Sequence, residues 1–243
     1  MRASSGSAEQ YSRTAALIGT EAVENLKASK VMIFGLGGVG SFAAEALARA
    51  GVGELVLVDS DVVTHSNRNR QLIALGSTVG MPKVEVMKQR IWDIDPSIQV
   101  DARQVFFEAA CALEFPFSGC DYVVDAIDSM ASKILLIKTC IQKNVRVVSA
   151  MGAGNKLYPE QFQLARLEDT SVDPIARKLR QQLRGEDTRK VHVVFSKEQP
   201  MASSIQEEGK VVPASISFVP GVMGMIMAGK VVRDLTGFCL DGH

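Results

Sequence analysis

A glycine-rich turn and a later aspartate could together bind a nucleotide. Gly35, Gly37 and Gly40 have the spacing G-x-G-x-x-G, and Asp59 follows them by about 20 residues, where such turns place an acidic side chain. Glycine permits positive φ angles and lets backbone N–H groups approach a phosphate at the positive N-terminus of a helix. A carboxylate at the position of Asp59 can hold a ribose hydroxyl. The spacing predicts nucleotide binding without specifying the nucleotide.

Cationic side chains follow this turn in the chain. Arg68 and Arg70 lie in the long polar connection 61–80, and Lys83 lies in the first turn of the next predicted helix. A lysine there opposes the helix dipole and costs a little stability, so it is either a solvated side chain or a ligand of a polyphosphate. We favour the polyphosphate, because these cations and Asp59 should meet at one edge of the sheet.

Asp128 stands just beyond the end of another predicted strand. An aspartate directly before a helix is most often an N-cap. Among phosphate-binding cations, however, the same carboxylate is suited to bind magnesium. We therefore expect Asp128 to be a magnesium ligand.

The predicted elements bring these residues together. Strands at 31–34, 54–58, 98–105, 121–126 and 145–150 alternate with helices at 41–50, 82–94 and 130–144, and a short helix is expected at 108–113. This alternation predicts a parallel sheet with right-handed crossovers. Strands at 161–167 and 191–196 then flank one further helix, and 197–210 is polar and expected to be mobile. We predict an α/β fold with a Rossmann-like, mostly parallel sheet, helices on both faces and an antiparallel extension in the C-terminal part.

The chain has 243 residues, 47% of them hydrophobic, which suits a single domain. We divide it into an N-terminal arm (1–29, helical from 11 to 26), a nucleotide-binding core (30–154) and a substrate-side and dimerisation part (155–243). Residues 1–10 are rich in serine and alanine and lack an apolar core, so we expect a flexible tail and no signal peptide.

Charge and cysteine content exclude some classes of protein. Lysine plus arginine and aspartate plus glutamate number 27 each, so a polyanion could bind only to a local patch. Cys111, Cys120, Cys140 and Cys239 form no C-x-x-C pair and have no spacing suited to zinc. A reduced, cytoplasmic setting is the simplest interpretation.

The uncharged stretch 211–229 approaches the length of a membrane span. Pro213 and Pro220 interrupt it, so we predict a short strand or loop and then a buried helix over 221–234. We expect no membrane association.

Five segments of the chain resemble the adenylating family of ubiquitin-activating-like enzymes. They read G-L-G-G-V-G, L-V-D-S-D, S-N-R-N-R-Q, G-M-P-K and D-A-I-D-S. The resemblance implies an enzyme that binds ATP with Mg²⁺ and joins AMP to a carboxylate. It implies that Gly38 lies along the phosphates and that Asp59 holds the ribose.

The same resemblance assigns further residues. It implies that Asn67, Arg70 and Lys83 contact the triphosphate and that Asp128 sits by the magnesium ion. Homodimeric members use an N-terminal arginine that reaches into the partner's site, and Arg13 occupies the matching place. The implied assembly is therefore a homodimer.

The cysteines narrow the choice within this family. Members with a structural zinc carry paired C-x-x-C motifs, and members that pass carboxylates to thiols have a cysteine in the crossover segment. No cysteine lies between Cys140 and Cys239. We therefore expect chemistry that needs no enzyme thiol.

The second half of the chain resembles one bacterial branch of the family. The segments are D-P-I-A-R-K-L-R-Q-Q-L at 173–183 and V-V-F-S-K-E at 193–198. Members of this branch use ATP to cyclise threonylcarbamoyladenosine next to the anticodon of tRNA, so the implied partner is that tRNA. Val193 stands where some relatives have a cysteine, which argues against sulfur transfer, although a sulfur-transfer protein stays an alternative partner.

The segment 173–185 also has an interpretation of its own. Asp173 caps a predicted helix and Pro174 takes its first position. Arg177, Arg180 and Arg184 recur at i, i+3 and i+7, opposite an apolar stripe. This row is either a solvated face or a contact for tRNA phosphates.

Three alternatives remain at this point. The first is an adenylyltransferase that activates the C-terminus of a ubiquitin-like sulfur carrier, and the second is a non-catalytic relative. The third is an NAD-dependent oxidoreductase, which needs the same glycines and acidic residue. His65, His192 and His243 do not stand where a nicotinamide would lie, and that fold has no need for Arg70 with Lys83.

Overall fold

The computed structural model describes residues 9–202, 204–207 and 210–238. A seven-stranded sheet forms its centre, in the order β3-β2-β1-β4-β5-β7-β6. The strands are β1 (Lys30–Phe34), β2 (Glu54–Val58), β3 (Gln99–Arg103), β4 (Tyr122–Asp125), β5 (Arg146–Ala150), β6 (Phe162–Arg166) and β7 (Val191–Ser196). All neighbours are parallel except β6 and β7. The predicted parallel sheet with an antiparallel extension is confirmed.

Helices cover both faces of this sheet. They are α1 (Ser12–Ile18), α2 (Thr20–Lys27), α3 (Gly40–Ala50), α4 (Lys83–Ile94), α5 (Met130–Gln142), α6 (Pro174–Gln182) and α7 (Val219–Thr236). The helices α3, α4 and α7 pack on one face, and α5 and α6 pack on the other. Successive side chains of a strand point to opposite faces, so Val31 and Ile33 meet the first group while Met32 and Phe34 meet the second. Two covered faces explain the unbroken apolar strands.

Several predicted elements differ in extent from the observed ones. The strand predicted over 98–105 is shorter, the five-residue strand β3, because each of its residues pairs with one of the five residues of β2. The helix predicted over 108–113 is wrong, and only a 3₁₀ turn forms, at Ala112–Glu114. Here the path of the chain follows aromatic packing, since three phenylalanines of this connection bury their rings around Phe34.

The segment expected to be a mobile connection contains a strand. β8 (Ser204–Glu207) pairs antiparallel with β9 (Lys210–Pro213), and Val212 and Pro213 line the cleft described below. The polar composition of this stretch gave no sign of the backbone pairing.

The N-terminal arm differs from its prediction as one helix. The predicted N-terminal arm is two helices, because Gly19 adopts φ +90° between α1 and α2. Most of the predicted flexible tail, 1–8, lies outside the described residues.

The predicted buried helix at 221–234 is confirmed as α7. No helix in the described ranges has both the length and the apolar character needed to cross a membrane.

Candidate active site

The predicted nucleotide-binding residues gather in one cleft at the carboxyl ends of β1, β2, β4 and β5. The cleft has a volume of about 760 Å³. Eight of the predicted residues line it, namely Gly35, Gly37, Gly38, Asp59, Asn67, Arg70, Lys83 and Asp128. Carboxyl ends of parallel strands are where open α/β sheets bind their ligands.

The three glycines of the G-x-G-x-x-G spacing are needed for different reasons. Gly35 has φ +87°, and a Cβ atom on it would lie 2.5 Å from the carbonyl oxygen of Ala126. A Cβ on Gly40 would lie 1.8 Å from the carbonyl oxygen of Gly35, so neither position accepts a side chain. Gly37 has no such neighbour: its closest atom would be Nε2 of Gln71 at 3.8 Å. Gly35 and Gly40 therefore serve the packing, and Gly37 leaves room for a ligand.

Asp59 ends β2 with its carboxylate held in place. One oxygen accepts a hydrogen bond from the backbone N–H of Leu36 (2.6 Å), and the other accepts from that of Asp61 (2.8 Å). Burial raises the pKa of Asp59 above its ordinary value, although Lys83 and these two N–H groups oppose the shift. The first of these bonds ties the carboxylate to the glycine turn.

Lys83 is buried and paired. Its Nζ donates to Oδ2 of Asp61 at 2.7 Å and lies 3.9 Å from Oδ1 of Asp59. The interpretation of Lys83 as a solvated side chain is wrong, because it is 5% exposed and lines the cleft. Sequence reasoning missed Asp61, although L-V-D-S-D displays it. This carboxylate is the partner that a phosphate would have to replace.

The loop after β2 folds into a 3₁₀ helix, His65–Asn69. Oδ1 of Asn67 accepts from the backbone N–H of Thr64 in a reciprocal capping box, so its amide Nδ2 is the group that can donate to a phosphate. Nη1 of Arg70 donates to the carbonyl of Ser66 and to Oδ1 of Asn69. The loop thus orients both side chains through its own hydrogen bonds.

A buried ion pair between Lys133 and Asp125 fixes the backbone next to the cleft. Nζ of Lys133 donates to Asp125 at 2.7 Å, and the Ser149 hydroxyl donates to the same carboxylate oxygen. The other oxygen accepts from the backbone N–H of Ile127 at 3.1 Å, which orients the chain that carries Asp128. Neither charged residue of this pair was predicted. The available signals were an aspartate inside an apolar strand and a lysine in the helix after it.

Asp128 is exposed, and Ser129, rather than Asp128, is the N-cap residue of α5. Within the described ranges, no group of three or more histidine, cysteine, aspartate or glutamate side chains is placed to hold a metal ion. Mg²⁺ usually binds one or two carboxylates together with substrate phosphates and water. A single carboxylate at a phosphate site fits that pattern.

The remaining predicted residues lie away from this cleft. Arg13 is exposed on α1. Arg180 donates to the backbone carbonyl and the hydroxyl of Thr170, so it anchors a loop of its own chain. Arg177 is exposed on α6, and the exposed Arg184 lies beyond the end of that helix at Gln182. The three arginines therefore do not form one continuous helical row.

Three cysteines fall within the described residues, and all are free thiols outside the lining of the cleft. Burial raises the pKa of Cys120 to about 11 and also raises that of Cys140. A thiol with a raised pKa is a poor nucleophile. The fourth cysteine, Cys239, lies outside the described residues.

Comparison with known proteins gives consistent matches. The ThiF family profile matches residues 11–242. The tRNA threonylcarbamoyladenosine dehydratase of Bacillus subtilis (strain 168) is 47% identical over 239 residues, which is 93% of this chain and 94% of that protein. The enzyme of the same name from Escherichia coli (strain K12) is 39% identical over 178 residues, 73% of this chain and 66% of the relative.

Solved structures agree with these matches. A crystal structure of the E. coli dehydratase in complex with ATP superimposes with a TM-score of 0.88 at 33% identity, covering 97% of each chain. A complex of the same enzyme with AMP gives the same TM-score, identity and coverage. A more distant relative, an adenylyltransferase and sulfurtransferase of Saccharomyces cerevisiae (strain RM11-1a), is 36% identical over 152 residues, 63% of this chain and 33% of that protein.

Proposed function

Because the chain belongs to the ThiF family, we propose that it is an ATP-dependent enzyme that cyclises threonylcarbamoyladenosine in tRNA with net loss of water. The observation that carries this proposal is the match to the B. subtilis dehydratase, at 47% identity over nearly the full length of both proteins. The cleft adds support, since its residues suit a nucleoside triphosphate.

The chemistry begins with a carboxylate, which is a poor electrophile. Its charge repels nucleophiles, and an oxide ion is a poor leaving group. In the proposed first step a threonyl carboxylate oxygen attacks the α-phosphorus of ATP, and pyrophosphate leaves. The resulting mixed anhydride has lost the negative charge of the carboxylate and carries AMP as its leaving group.

The residues of the cleft have complementary roles in this step. Asp59 would hold the ribose, while the glycine turn and the N-terminus of α3 face the phosphates. Arg70 and Lys83 would stabilise charge that moves onto the departing pyrophosphate. Lys83 would exchange Asp61 for a phosphate oxygen, which keeps the lysine paired in both states.

Asp128 would be the protein ligand of Mg²⁺. The ion would neutralise phosphate charge when bound. Asp125 and Lys133 contribute indirectly, because they fix the backbone just before Asp128.

The second step closes the ring inside the substrate. A nitrogen or oxygen atom of the carbamoyl group bonds to the activated carbonyl carbon, and the bond from that carbon to the oxygen of AMP breaks. AMP leaves with the former carboxylate oxygen and one ureido proton is released, so the nucleoside has lost one water overall. Intramolecular reactions reach effective molarities of order 10⁵ M or more, so no enzyme thiol is required. The buried Cys120 and Cys140, outside the cleft, support a thiol-free route. Both cysteines are free thiols, and free thiols are typical of a reducing compartment, which is consistent with the proposed cytoplasmic location.

A second candidate function is activation of the C-terminus of a ubiquitin-like sulfur carrier. The 36% identity to the yeast adenylyltransferase and sulfurtransferase favours it over the NAD-dependent alternative. It shares the adenylation step and differs in the acceptor.

The decisive experiment is mass spectrometry of tRNA nucleosides after incubation of the purified protein with ATP and tRNA that carries threonylcarbamoyladenosine. We expect ATP-dependent loss of the mass of water from that nucleoside, together with release of AMP. A variant without cysteines, each replaced by serine or alanine, should retain the reaction. AMP release only with a sulfur-carrier protein would support the second candidate instead.

A further inference from the structure

A second group of buried charges lies against the wall of the cleft. The wall is the segment from Ala150 to Gly154, which follows β5 and lines the cleft. Behind Gly152 lie Lys156 and Asp173, which are 5% and 3% exposed. We call the space beside the Cα of Gly152, bounded by Lys156, Asp173 and Ile175, the Gly152 recess.

The missing side chain of Gly152 defines this recess. A Cβ atom there would lie 3.5 Å from Nζ of Lys156, 3.6 Å from Cδ1 of Ile175 and 3.8 Å from Oδ2 of Asp173. Gly152 and Ile175 both line the cleft. A donor and an acceptor therefore converge on one point directly behind the lining of the cleft.

Only one of the two carboxylate oxygens of Asp173 accepts hydrogen bonds from the described residues. Oδ1 accepts the backbone N–H groups of Ile175 and Ala176 and so caps α6. Oδ2 is buried and accepts no hydrogen bond from any residue in the described ranges. A buried carboxylate oxygen without a donor is costly, so a group that brings a hydrogen-bond donor to this oxygen would be bound favourably.

Lys156 supplies the hydrogen-bond donor of the recess. Its Nζ donates to the carbonyl oxygen of Gly152, and its two other N–H groups have no acceptor among the described residues. Burial lowers the pKa of Lys156, while Asp173 and Glu198 oppose the shift. Glu198 is already engaged by the N–H groups of Leu157 and Tyr158.

We propose that the Gly152 recess binds the ureido group of the threonylcarbamoyl side chain. The Nζ of Lys156 donates to the ureido oxygen, and Oδ2 of Asp173 accepts a ureido N–H. The inference rests on the proposed function and deepens it, because it names the residues that recognise the modified base.

The charges of the recess favour this group over others in the same substrate. A carboxylate would be repelled by Asp173, and an amine would be repelled by Lys156. A neutral planar group with N–H donors beside a carbonyl acceptor satisfies both side chains at once. The threonyl carboxylate is thereby left to face the cations of the cleft, where adenylation takes place.

Two variants test the recess while preserving the fold. Asp173→Asn keeps an oxygen to cap α6, since asparagine is as good an N-cap as aspartate, but it replaces the free acceptor with a donor. Gly152→Ala places a methyl group in the recess at ordinary contact distances. The matched control is Asp187→Asn, because Asp187 is also an N-cap residue, is exposed and lies outside the lining of the cleft.

We expect kcat/KM for modified tRNA to fall by about 10- to 100-fold in both recess variants, the loss typical of a hydrogen bond to a charged group. ATP should protect each variant from thermal unfolding as it protects the wild type, and the control should keep its activity. Unchanged kcat/KM in either folded recess variant would overturn the inference.

Direct binding separates this inference from the proposed function. Affinity is measured for modified tRNA and for a transcript of the same sequence without the modification. The wild type should prefer the modified tRNA, and Asp173→Asn should lose the preference. If the wild type shows the preference without cyclising the nucleoside, the proposed reaction is wrong and the recess stands. If the wild type shows no preference, or Asp173→Asn retains it, the recess assignment is wrong.

Discussion

At the scale of single residues, Lys83 and Arg70 approach the cleft from different elements, and both carry charge that a triphosphate can neutralise. If they stabilise charge mainly as pyrophosphate leaves, Lys83→Ala and Arg70→Ala should each lower turnover by about 100- to 1,000-fold, the range measured for single transition-state donors. The measurement is steady-state AMP formation with modified tRNA.

Arg68→Ala is the matched control for Arg70→Ala. Arg68 lies two residues away, and its expected place among the phosphate-binding cations is wrong, because it is exposed and does not line the cleft. Its loss should leave turnover near the wild-type value. Near-normal turnover of a folded Lys83→Ala or Arg70→Ala protein would remove that residue from the proposed site.

Asp59 should make ATP binding sensitive to acid. Burial raises its pKa, so its carboxylate is protonated at a higher pH than that of an ordinary aspartate. The ionised form is the better acceptor for ribose hydroxyls, and ATP affinity should therefore decline as the pH falls through this raised pKa. Calorimetric titrations with ATP at a series of decreasing pH values measure the effect.

The free energy of unfolding should change in the opposite direction to the ATP affinity, so that it rises as the pH falls. The pKa of Asp59 is higher in the folded state than in the unfolded state. At pH values above the folded-state pKa, the ionised carboxylate therefore lowers the free energy of unfolding. This cost disappears as the pH falls from the folded-state pKa to the unfolded-state pKa. Asp59→Asn should bind ATP more weakly and remove this part of the pH dependence. An Asp59→Asn protein with the full acid-dependent loss of ATP affinity would show that another group is responsible.

At the scale of elements, the close approach of α7 to α3 shapes one side of the cleft. A Cβ atom on Gly224 would lie 2.3 Å from the carbonyl oxygen of Val39 and 3.1 Å from the backbone nitrogen of Ala43. Val39, which precedes α3, and Pro220, in the first turn of α7, both line the cleft. The packing of these two helices therefore affects the shape of the cleft at this point.

Gly224→Ala should therefore lower the free energy of unfolding by about 1–3 kcal/mol, the usual cost of overpacking. It should also weaken ATP binding, because α7 must shift. Urea unfolding and ATP titration measure the two effects. Gly229→Ala is the control on the same helix, where the only atom of the described residues within 4 Å of the added Cβ is the flexible end of Arg233. Equal stability of the two variants would contradict the packing argument.

At the scale of the whole molecule, Arg13 offers a test of assembly. It is exposed on α1 and does not line the cleft of its own chain, so it could serve catalysis only in a partner's cleft. We predict a homodimer in which Arg13→Ala and Lys83→Ala each lose most of the activity. Mixed protomers should regain part of the activity, because one of the two sites then has both residues. A fully active monomer in light scattering would exclude this arrangement.

The surface near α6 is the predicted contact for tRNA. Arg177 and Arg184 are exposed, whereas Arg180 holds Thr170. Arg177→Gln with Arg184→Gln should weaken tRNA binding and reduce the slope of log affinity against log salt by about 0.7–0.9 per lost phosphate contact. ATP affinity is the internal control. Unchanged tRNA binding would make these arginines part of a solvated face.

Local patterns in the sequence were sufficient for the architecture and for much of the cleft. Apolar strands that alternate with helices specify a parallel sheet, and Gly35, Gly40 and Asp59 stand at spacings set by one turn. Because all carboxyl strand ends share one edge, residues that follow different strands converge there. The contact of Asp59 with Leu36 and the placement of Lys83 in the cleft follow from that geometry.

Only the tertiary structure decided which charges are paired and which are free. Asp61 pairs with Lys83, Lys133 with Asp125, and Arg180 with Thr170, and each pairing depends on distances between elements that no local pattern encodes. The unpaired oxygen of Asp173 is likewise visible only once α6 is packed beside Gly152. Sequence spacing orders residues along one element, whereas hydrogen bonds between elements depend on how those elements pack.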